Sequence, residues 1–357
     1  MDATRSYPDP PLPELGAIAP ALLAWYDVHR RALPWRALPG ERADPYRVWL
    51  SEVMLQQTTV AAVRPRFEAW VARWPDFASL AAADEAEVMA AWAGLGYYAR
   101  ARNLVAAAKV VVAEHNGAFP ADEATLRTLP GLGAYTAAAV AAIAFGRRAV
   151  VVDANVERVV ARLFAIREAL PGARTAIRAA ADRVTPDARA GDFAQAMMDL
   201  GSGICTPKKP SCLLCPLQRE CRAFREGDPE RLPVKAAKKA KPQRHGTIFW
   251  LERDGAVWLV RRPGKGLLGG MRALPTGPWE DVPPGLGGAP VAADWKLRNA
   301  TVAHGFTHFD LQLALAVAED EGHQPHTGEW WPINDLDRAG LPTLFAKAAA
   351  AVLRRDG

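Results

Sequence analysis

Apolar residues recur at three- and four-residue spacing through most of residues 17–225, a pattern that predicts amphipathic helices. Glycine and proline separate the periodic segments, and the short β-branched run at residues 149–152 is a strand signal. The pattern predicts an all-α domain over residues 1–229. Its clearest helical segments are Ala21–Ala32, Pro45–Gln57, Arg64–Arg73, Asp84–Ala93, Arg100–Asn116 and Ile177–Val184.

The hydrophobic period changes to two beyond residue 244. Segments Gly246–Glu252 and Ala256–Arg262 flank Asp254-Gly255, a dipeptide typical of a tight β-hairpin turn. Residues 309–317 alternate large apolar with polar or small residues, and Leu344–Arg355 has a helical pattern. We therefore expect a multidomain protein in which the all-α domain is followed by a smaller α+β domain over residues 244–357.

A basic segment lies between the two predicted domains. Residues 235–244 hold five basic and no acidic side chains, which favours a solvated interdomain linker over residues 230–243. The whole chain of 357 residues is 50% hydrophobic and carries a net charge of +5, a modest excess that suits a polyanionic partner. The chain has neither an apolar signal core nor an apolar run of bilayer length, so we expect an intracellular protein with no membrane partner.

The chain has four cysteines, all within one short segment, Cys205, Cys212, Cys215 and Cys221. Such crowding in an intracellular protein disfavours disulfides. Four thiolates suit a tetrahedral zinc ion, but zinc sites of this kind commonly pair two short hooks, and only Cys212 and Cys215 form one. The asymmetric spacing favours an iron–sulfur cluster modestly over zinc.

Two glycines punctuate a turn between two predicted helices, Asp122–Thr128 and Tyr135–Phe145. In this turn, Leu129-Pro130-Gly131-Leu132-Gly133, the glycines can expose successive N–H groups at a helix N-terminus to a phosphate oxygen, directly or through a bound cation. An ordinary helix–helix turn is the alternative interpretation. About twenty residues later, Asp153 stands at the start of a further helix, where it can act as an N-cap and as a catalytic carboxylate.

Glu52 lies on the apolar face of a predicted helix. Val48 and Leu55 are four residues before it and three after it, so the three side chains share that face. Desolvation there would raise the pKa of the carboxyl group toward neutrality, as a general acid requires. A buried structural ion pair is the alternative interpretation.

Several motifs of the chain together resemble those of one family. The chain resembles the MutY-type adenine DNA glycosylases, in the endonuclease III branch of the helix-hairpin-helix superfamily, over about residues 20–225. The resemblance rests on the hairpin, the aspartate, the cysteine loop and four further segments. Those segments are residues 33–36 (LPWR), 49–58 (WLSEVMLQQT), 94–103 (GLGYYARARN) and 195–201 (QAMMDLG).

The family resemblance implies a reaction and roles for individual residues. It implies a monofunctional enzyme of base-excision repair that flips adenine out of A:8-oxoguanine or A:G pairs in duplex DNA and hydrolyses its N-glycosidic bond. Glu52 would protonate the base, and Asp153 would stabilise the positive sugar, directly or through a transient covalent bond. Tyr135 and Asn155 would orient these groups. Tyr135 stands where the bifunctional relatives carry a Schiff-base lysine, so strand cleavage is not expected.

The resemblance also assigns binding residues and a cofactor. Arg36, Leu55 and Gln195 would line the adenine pocket, and Gln57 and Tyr97 would fill or pry open the base stack. The family's four cysteines hold one [4Fe–4S] cluster, and the Leu129–Gly133 hairpin can hold a monovalent or divalent cation. We expect a monomer in the cytoplasm, associated with the nucleoid if the protein is bacterial.

The C-terminal domain resembles the Nudix-like module of the same family, beginning at Arg261-Arg262-Pro263-Gly264. After Gly277 the acidic residues Glu280 and Asp281 precede prolines and form no glutamate-rich metal helix, so we expect a recognition module and not a pyrophosphohydrolase. The loop Phe306-Thr307-His308 matches the family's lesion-reading Phe-Ser-His segment. Threonine keeps the hydroxyl and adds a methyl group.

Three other functions remain as alternatives. An endonuclease III-like lyase for oxidised pyrimidines is disfavoured by Tyr135 and by the Nudix-like domain. A non-catalytic iron–sulfur DNA-binding protein is disfavoured by the pair Glu52 and Asp153. A Nudix hydrolase with a helical appendage is disfavoured by the missing glutamates.

Overall fold

The computed structural model describes residues 14–236, 240–264, 266–320, 322 and 327–354. Three parts of the predicted elements lie outside these described residues: positions 1–13 of the predicted helical domain, 237–239 of the predicted linker, and Arg355 of the predicted final helix.

Helices dominate the chain up to residue 225, as the hydrophobic period predicts. They are α1 (Leu15–His29), α2 (Pro45–Met54), α3 (Val60–Arg73), α4 (Phe77–Ala81), α5 (Glu85–Ala91), α6 (Ala99–Glu114), α7 (Glu123–Leu126), α8 (Ala134–Phe145), α9 (Ala154–Leu163), α10 (Arg174–Val184), α11 (Ala190–Gly203) and α12 (Arg222–Arg225). Short 3₁₀ helices lie at Cys212–Leu214 and Pro229–Arg231.

Strands begin at residue 243. They are β1 (Gln243–Arg253), β2 (Ala256–Arg261), β3 (Arg272–Ala273), β4 (Lys296–Gly305), β5 (Asp310–Glu319) and β6 (Glu329–Pro332), and helix α13 (Thr343–Leu353) follows a 3₁₀ helix at Ile333–Ala339. The described strands form one sheet in the order β3-β2-β1-β5-β4, with β6 paired to β2. Strands β1 and β5 run parallel, from the pair Gln243 and Asp310 to the pair Glu252 and Glu319.

The predicted alternation of large apolar residues along β5 agrees with the position of the core on one face of the sheet. Leu311, Leu313 and Leu315 of β5 are buried, and they share one apolar cluster with Leu344 and Phe345 of α13. Asp254 and Gly255 both adopt positive φ, +50° and +73°, which a two-residue turn of type I′ requires. The predicted fold class, an all-α domain followed by an α+β domain, is confirmed.

The strand signal at residues 149–152 does not correspond to a strand. Residues 149–152 form no strand with any described residue and connect α8 to α9 as irregular chain. Ala149 and Val151 are buried, and the Val150 carbonyl accepts a hydrogen bond from Arg178 at 3.1 Å. The run is apolar because its alternate side chains enter the helical core, and not because it joins a sheet.

The chain folds into two compact units, residues 1–81 with 106–237 and residues 82–105 with 238–357. Within the first unit, the amide of Leu170 donates to the carbonyl of Val234 at 2.9 Å, so the start of the predicted linker is attached to the helical unit. The predicted boundaries at residues 229/230 and 243/244 stay a prediction. No helix among the described residues is long and apolar enough to cross a membrane.

Candidate active site

Glu52 is buried on α2, with 7% of its surface exposed. Asp44 caps this helix by accepting from the amides of Tyr46 and Arg47, and Pro45 occupies the first helical position, where proline is favoured. Val48, Trp49 and Leu50 are buried with the carboxyl group. The helix therefore starts at a sequence-defined point and holds Glu52 inside the protein.

Tyr135, in the first turn of α8, reaches the same carboxyl group. Its hydroxyl donates a hydrogen bond to Glu52 Oε2 at 2.5 Å. The side-chain Nε2 of Gln56 donates to the Thr136 hydroxyl at 3.3 Å and links the segment after α2 to α8 near this point. Burial, reinforced by the charges of Glu52 and Asp153, raises the pKa of Tyr135 well above its usual value, so the phenol remains a donor.

Burial raises the pKa of Glu52 from its ordinary value of 4.5 to about 7, and the charge of Asp153 acts in the same direction. The Tyr135 hydrogen bond and the Arg36 charge oppose this shift without cancelling it. Near neutral pH the carboxyl group is therefore partly protonated, as a proton donor in this pH range must be.

Asp153 is the N-cap of α9. Its Oδ1 accepts from the Val156 amide at 2.7 Å, and its Oδ2 accepts from Asn155 Nδ2 at 2.9 Å. Both donors, the side chain of Asn155 and the backbone amide of Val156, lie within three residues of Asp153, so the local sequence fixes the orientation of its carboxylate. The structure thus brings Glu52, Tyr135, Asp153 and Asn155 to one site.

Arg158 links this site to the cysteine loop, a connection that the sequence did not predict. Its NH2 group donates to Asn155 Oδ1 at 3.0 Å and to the Gly201 carbonyl at 2.5 Å, while its Nε donates to the Cys205 carbonyl at 2.7 Å. Gly201 lets α11 lie close to Asn155, because a Cβ at position 201 would lie 2.6 Å from the Cβ of Asn155. The orientation of Asn155 therefore depends on the backbone of the cysteine loop.

A second unpredicted group is the ion cluster around Asp199 on α11. Arg36 donates two hydrogen bonds to this carboxylate, at 2.6 and 2.7 Å, and Arg31 adds a third at 2.6 Å. The arginines together lower the pKa of Asp199 despite its burial, so the carboxylate remains ionised. Arg36, predicted to face the base, is thus held in a bidentate ion pair.

Arg36, Glu52, Leu55 and Gln195 line one small cavity of about 40 Å³. The sequence resemblance predicted that Arg36, Leu55 and Gln195 line the base pocket, and the structure places them around one cavity with Glu52, the predicted acid. Ser51, Val48 and Met198 complete part of the lining. The cavity is mainly apolar, and its ionisable lining residues are Glu52, Arg31 and Arg36.

The predicted hairpin joins α7 to α8. Leu129 and Leu132 are buried, whereas Gly131 adopts φ +76°, a conformation that favours glycine. Gly133 is the N-cap of α8, and a Cβ at this position would have no heavy atom within 4 Å. The leucines anchor the turn while the backbone at Gly133 stays open to a ligand.

The four cysteines are half-buried and unpaired as disulfides. Burial raises the pKa of Cys215 to about 12 and of Cys221 to about 11, and the neighbouring thiols raise each further, which places the four groups in one neighbourhood. Arg162, almost fully buried, donates to Cys205 Sγ at 3.3 Å. No three His, Cys, Asp or Glu side chains of the described residues surround a single metal-ion position. Four thiolates are a donor set that suits an iron–sulfur cluster and a tetrahedral zinc ion alike.

Two further predicted residues carry unusual backbone conformations. Gln57, after α2, has φ +57°, and Tyr97, between α5 and α6, has φ +47° with 53% of its surface exposed. Positive φ is uncommon in residues other than glycine and concentrates at functional sites. Each residue is presented at the surface by its own turn.

The loop after β4 contains the predicted lesion-reading residues. Phe306 is half-buried, and its ring lies 4.7 Å from His304, 4.9 Å from Phe309 and 5.6 Å from Trp279, measured between centroids. Its amide donates to the Phe309 carbonyl at 2.9 Å and closes the loop. Thr307 and His308 are exposed at its tip. The aromatic cluster supports the tip without covering it.

Comparison with known proteins identifies the family. Residues 50–186 match the HhH-GPD superfamily base excision DNA repair protein, and residues 247–351 match the NUDIX domain. The adenine DNA glycosylase of Homo sapiens is 34% identical over 404 residues, an alignment that covers 94% of this chain and 73% of the human protein. The chain belongs to the adenine DNA glycosylase family.

Two further comparisons agree with this family assignment. The adenine DNA glycosylase of Mycolicibacterium smegmatis is 45% identical over 208 residues, covering 58% of this chain and 70% of that protein. A solved structure of a thermostable thymine-DNA glycosylase superposes with a TM-score of 0.53 at 28% identity, covering 59% of this chain and 97% of that one. The resemblance seen in the sequence motifs is confirmed.

Proposed function

We propose that this protein excises adenine paired with 8-oxoguanine or guanine in duplex DNA, by acid-assisted hydrolysis of the N-glycosidic bond. The observation that carries the proposal is the buried carboxyl group of Glu52, whose pKa lies near 7 and which accepts the Tyr135 hydroxyl at 2.5 Å. Membership of the adenine DNA glycosylase family supplies the substrate class.

The base must leave the DNA stack before it can reach Glu52. The lining of the pocket, with Leu55 and Gln195 beside Glu52, suits an apolar ring system with a few polar edges. A cavity of about 40 Å³ is smaller than a purine, so these side chains must move apart as the base enters.

Bond cleavage then uses the two carboxyl groups in different states. Protonated Glu52 donates its proton to N7 of adenine, and the electron pair of the N-glycosidic bond leaves with the neutral base. Ionised Asp153 stabilises the positive charge on the deoxyribose, electrostatically or through a transient bond to C1′. Water adds at C1′ and its proton returns to Glu52, which leaves an abasic site.

Tyr135 supports a monofunctional reaction. A tyrosine hydroxyl cannot form an imine with the abasic sugar, and this hydroxyl is engaged with Glu52. The strand therefore stays intact until it is treated with alkali.

The cysteine loop would hold one [4Fe–4S] cluster through Cys205, Cys212, Cys215 and Cys221. When bound, the cluster would cross-link residues 205–221 by four iron–sulfur bonds. Arg162 would help to hold this loop around the cluster, because it donates to Cys205 Sγ and also to the carbonyls of Thr206 and Pro207, at 2.8 and 3.1 Å.

Metal and sulfide analysis of the purified protein tests this assignment. We expect about four irons and four acid-labile sulfides per chain. One zinc and no sulfide would contradict the assignment.

DNA-backbone and lesion contacts complete the proposal. The open backbone at Gly131 and Gly133, with Leu129 as its anchor, would bind a phosphate directly or through a cation. Gln57 and Tyr97 would enter the base stack. The exposed tip Thr307-His308, supported by Phe306, would read the base opposite adenine.

A panel of duplexes tests the function directly. In single-turnover reactions followed by alkali, we expect cleavage at adenine in A:8-oxoguanine and A:G duplexes, and none in A:T or oxidised-pyrimidine duplexes.

The same assay tests the loop after β4 and the proposed reaction type. Phe306→Ala should lose the preference for 8-oxoguanine over guanine as the base opposite adenine, because the loop tip loses its aromatic support. Cleavage without alkali at an oxidised pyrimidine would overturn the proposal and favour an endonuclease III-like lyase.

A further inference from the structure

The turn between α5 and α6 presents Tyr97 in a costly conformation. Its φ of +47° is left-handed, and the preceding Gly94 and Gly96 also have positive φ, +86° and +69°. A bulky side chain resists this region of backbone space, so neighbouring groups must hold it there. Tyr97 has 53% of its surface exposed, and therefore the packing of its own ring cannot supply the whole restraint.

Arg100 supplies hydrogen bonds to this turn. Its NH2 group donates to the carbonyls of Leu95 and Gly96, at 2.8 and 3.0 Å. Trp92 Nε1 donates to the same Gly96 carbonyl at 2.9 Å. The carbonyls just before Tyr97 are thus held from two sides by side chains of the flanking helical segments.

The guanidinium of Arg100 also lies between two aromatic rings. Its Cζ is 5.1 Å from the centroid of Trp92 and 5.7 Å from the centroid of Tyr97, both within the range of cation–π attraction. Burial lowers the pKa of Arg100 to about 10, which leaves the group charged at neutral pH. One buried Trp, one arginine and one exposed Tyr therefore form a single cluster.

This geometry differs from that of an arginine that contacts the DNA backbone. An arginine near a DNA-binding turn would ordinarily be expected to point its donors at phosphates. Here the NH2 donors point at the protein's own carbonyls, beneath the ring that is exposed.

We propose that Arg100 is a positioning residue for Tyr97: its guanidinium closes the Gly94–Tyr98 turn and holds the Tyr97 ring in place to enter the DNA stack. This inference rests on one part of the proposed function, namely that the chain binds duplex DNA and that Tyr97 enters its base stack. Binding energy is gained when the ring is already ordered, because less conformational freedom is lost on association.

A double-mutant cycle tests the proposal. Affinity is measured for a duplex that carries a tetrahydrofuran abasic-site analogue opposite 8-oxoguanine, for wild type, Tyr97→Ala, Arg100→Gln and the double variant. Loss of one stacking ring should weaken binding about tenfold or more. We expect Arg100→Gln to weaken binding to a similar extent. The double variant should bind the duplex no more weakly than Tyr97→Ala, since each substitution removes the same contribution, the stacking of the Tyr97 ring.

Salt dependence separates positioning from a phosphate contact. Loss of a phosphate contact reduces the slope of log K against log salt by about one. We expect an unchanged slope for Arg100→Gln. Arg100→Lys should bind as weakly as Arg100→Gln, because an ammonium cannot bridge two carbonyls and two rings, although it would preserve a phosphate contact.

Lys109→Gln on the same helix α6 is the control for the loss of one positive charge. Additive losses in the cycle, a slope reduced by about one, or full affinity in Arg100→Lys would each overturn the inference. If Arg100→Gln does not fold, as judged by thermal unfolding, the same criteria apply to Arg100→Lys. Adenine release by wild type is scored separately, so its failure would refute the proposed function and leave the binding cycle interpretable.

Discussion

Glu52→Gln should slow adenine release by about 10²–10⁴-fold, the usual contribution of a positioned general acid. Glutamine has nearly the same shape and still accepts the Tyr135 hydroxyl, but it has no acidic proton to give to the leaving base. Single-turnover kinetics on an A:8-oxoguanine duplex measure the loss. Affinity for that duplex should be retained, because the substitution leaves the pocket volume unchanged.

Glu68→Gln on α3 is the matched control, since Glu68 is exposed and stands outside the site. It should react at the wild-type rate. Full activity of Glu52→Gln would remove Glu52 from the acid role, whereas equal loss of activity and binding would point to a collapsed pocket.

Stability of the Glu52→Gln variant gives an independent check on the same group. Folding raises the pKa of Glu52 from 4.5 to about 7, so the native state binds the proton more tightly than the unfolded state does. The contribution of Glu52 to the free energy of unfolding should therefore fall as pH rises from about 4.5 to about 7, by roughly 3 kcal/mol. The glutamine variant lacks this loss and should be the more stable protein above pH 7 in denaturant titrations.

Asp153→Asn should reduce the rate of adenine release by about 10²–10³-fold, as removal of one group that stabilises transition-state charge commonly does. Asparagine is as good an N-cap as aspartate, and its oxygen can still accept from the Val156 amide. The change therefore removes the negative charge near the developing cation while α9 keeps its cap. Single-turnover rates and thermal unfolding, measured together, separate the two roles.

Asp84→Asn is the matched control for this substitution. Asp84 is the N-cap of α5 and accepts from the Glu87 amide at 3.0 Å, but it is exposed and outside the site. It should leave the rate unchanged. If Asp153→Asn loses stability and keeps its rate, the carboxylate is only a cap.

Local patterns predicted much of the fold and the positions of the two carboxyl groups that we propose as catalytic. The three- and four-residue spacing around Glu52 predicted a helix with Val48 and Leu55 on the same side, and all three line one cavity. Asp254-Gly255 predicted the hairpin turn, and Asp153 was predicted as a cap. These features depend on residues that are close in sequence, where propensity and periodicity are informative.

Interactions between segments that are distant in sequence could not be predicted from such local patterns. Arg36 and Asp199 are 163 positions apart, and Arg158 meets the Cys205 carbonyl across 47 positions. The run at residues 149–152 carries a strand signal although it is a connection, because a buried apolar connection and a buried strand have the same composition. Charged residues inside predicted helices, such as Arg158 and Arg162 among the apolar residues on the buried face of α9, were the available sign that a partner was needed.

The pH dependence of single-turnover adenine release from an A:8-oxoguanine duplex tests the central claim most directly. If protonated Glu52 drives the reaction, the rate should be constant below about pH 6 and fall tenfold per pH unit well above pH 7, under conditions where the duplex stays saturated. The residual rate of Glu52→Gln should show no such fall. A wild-type rate that stays flat to about pH 9, or an equal fall in the variant, would contradict the account.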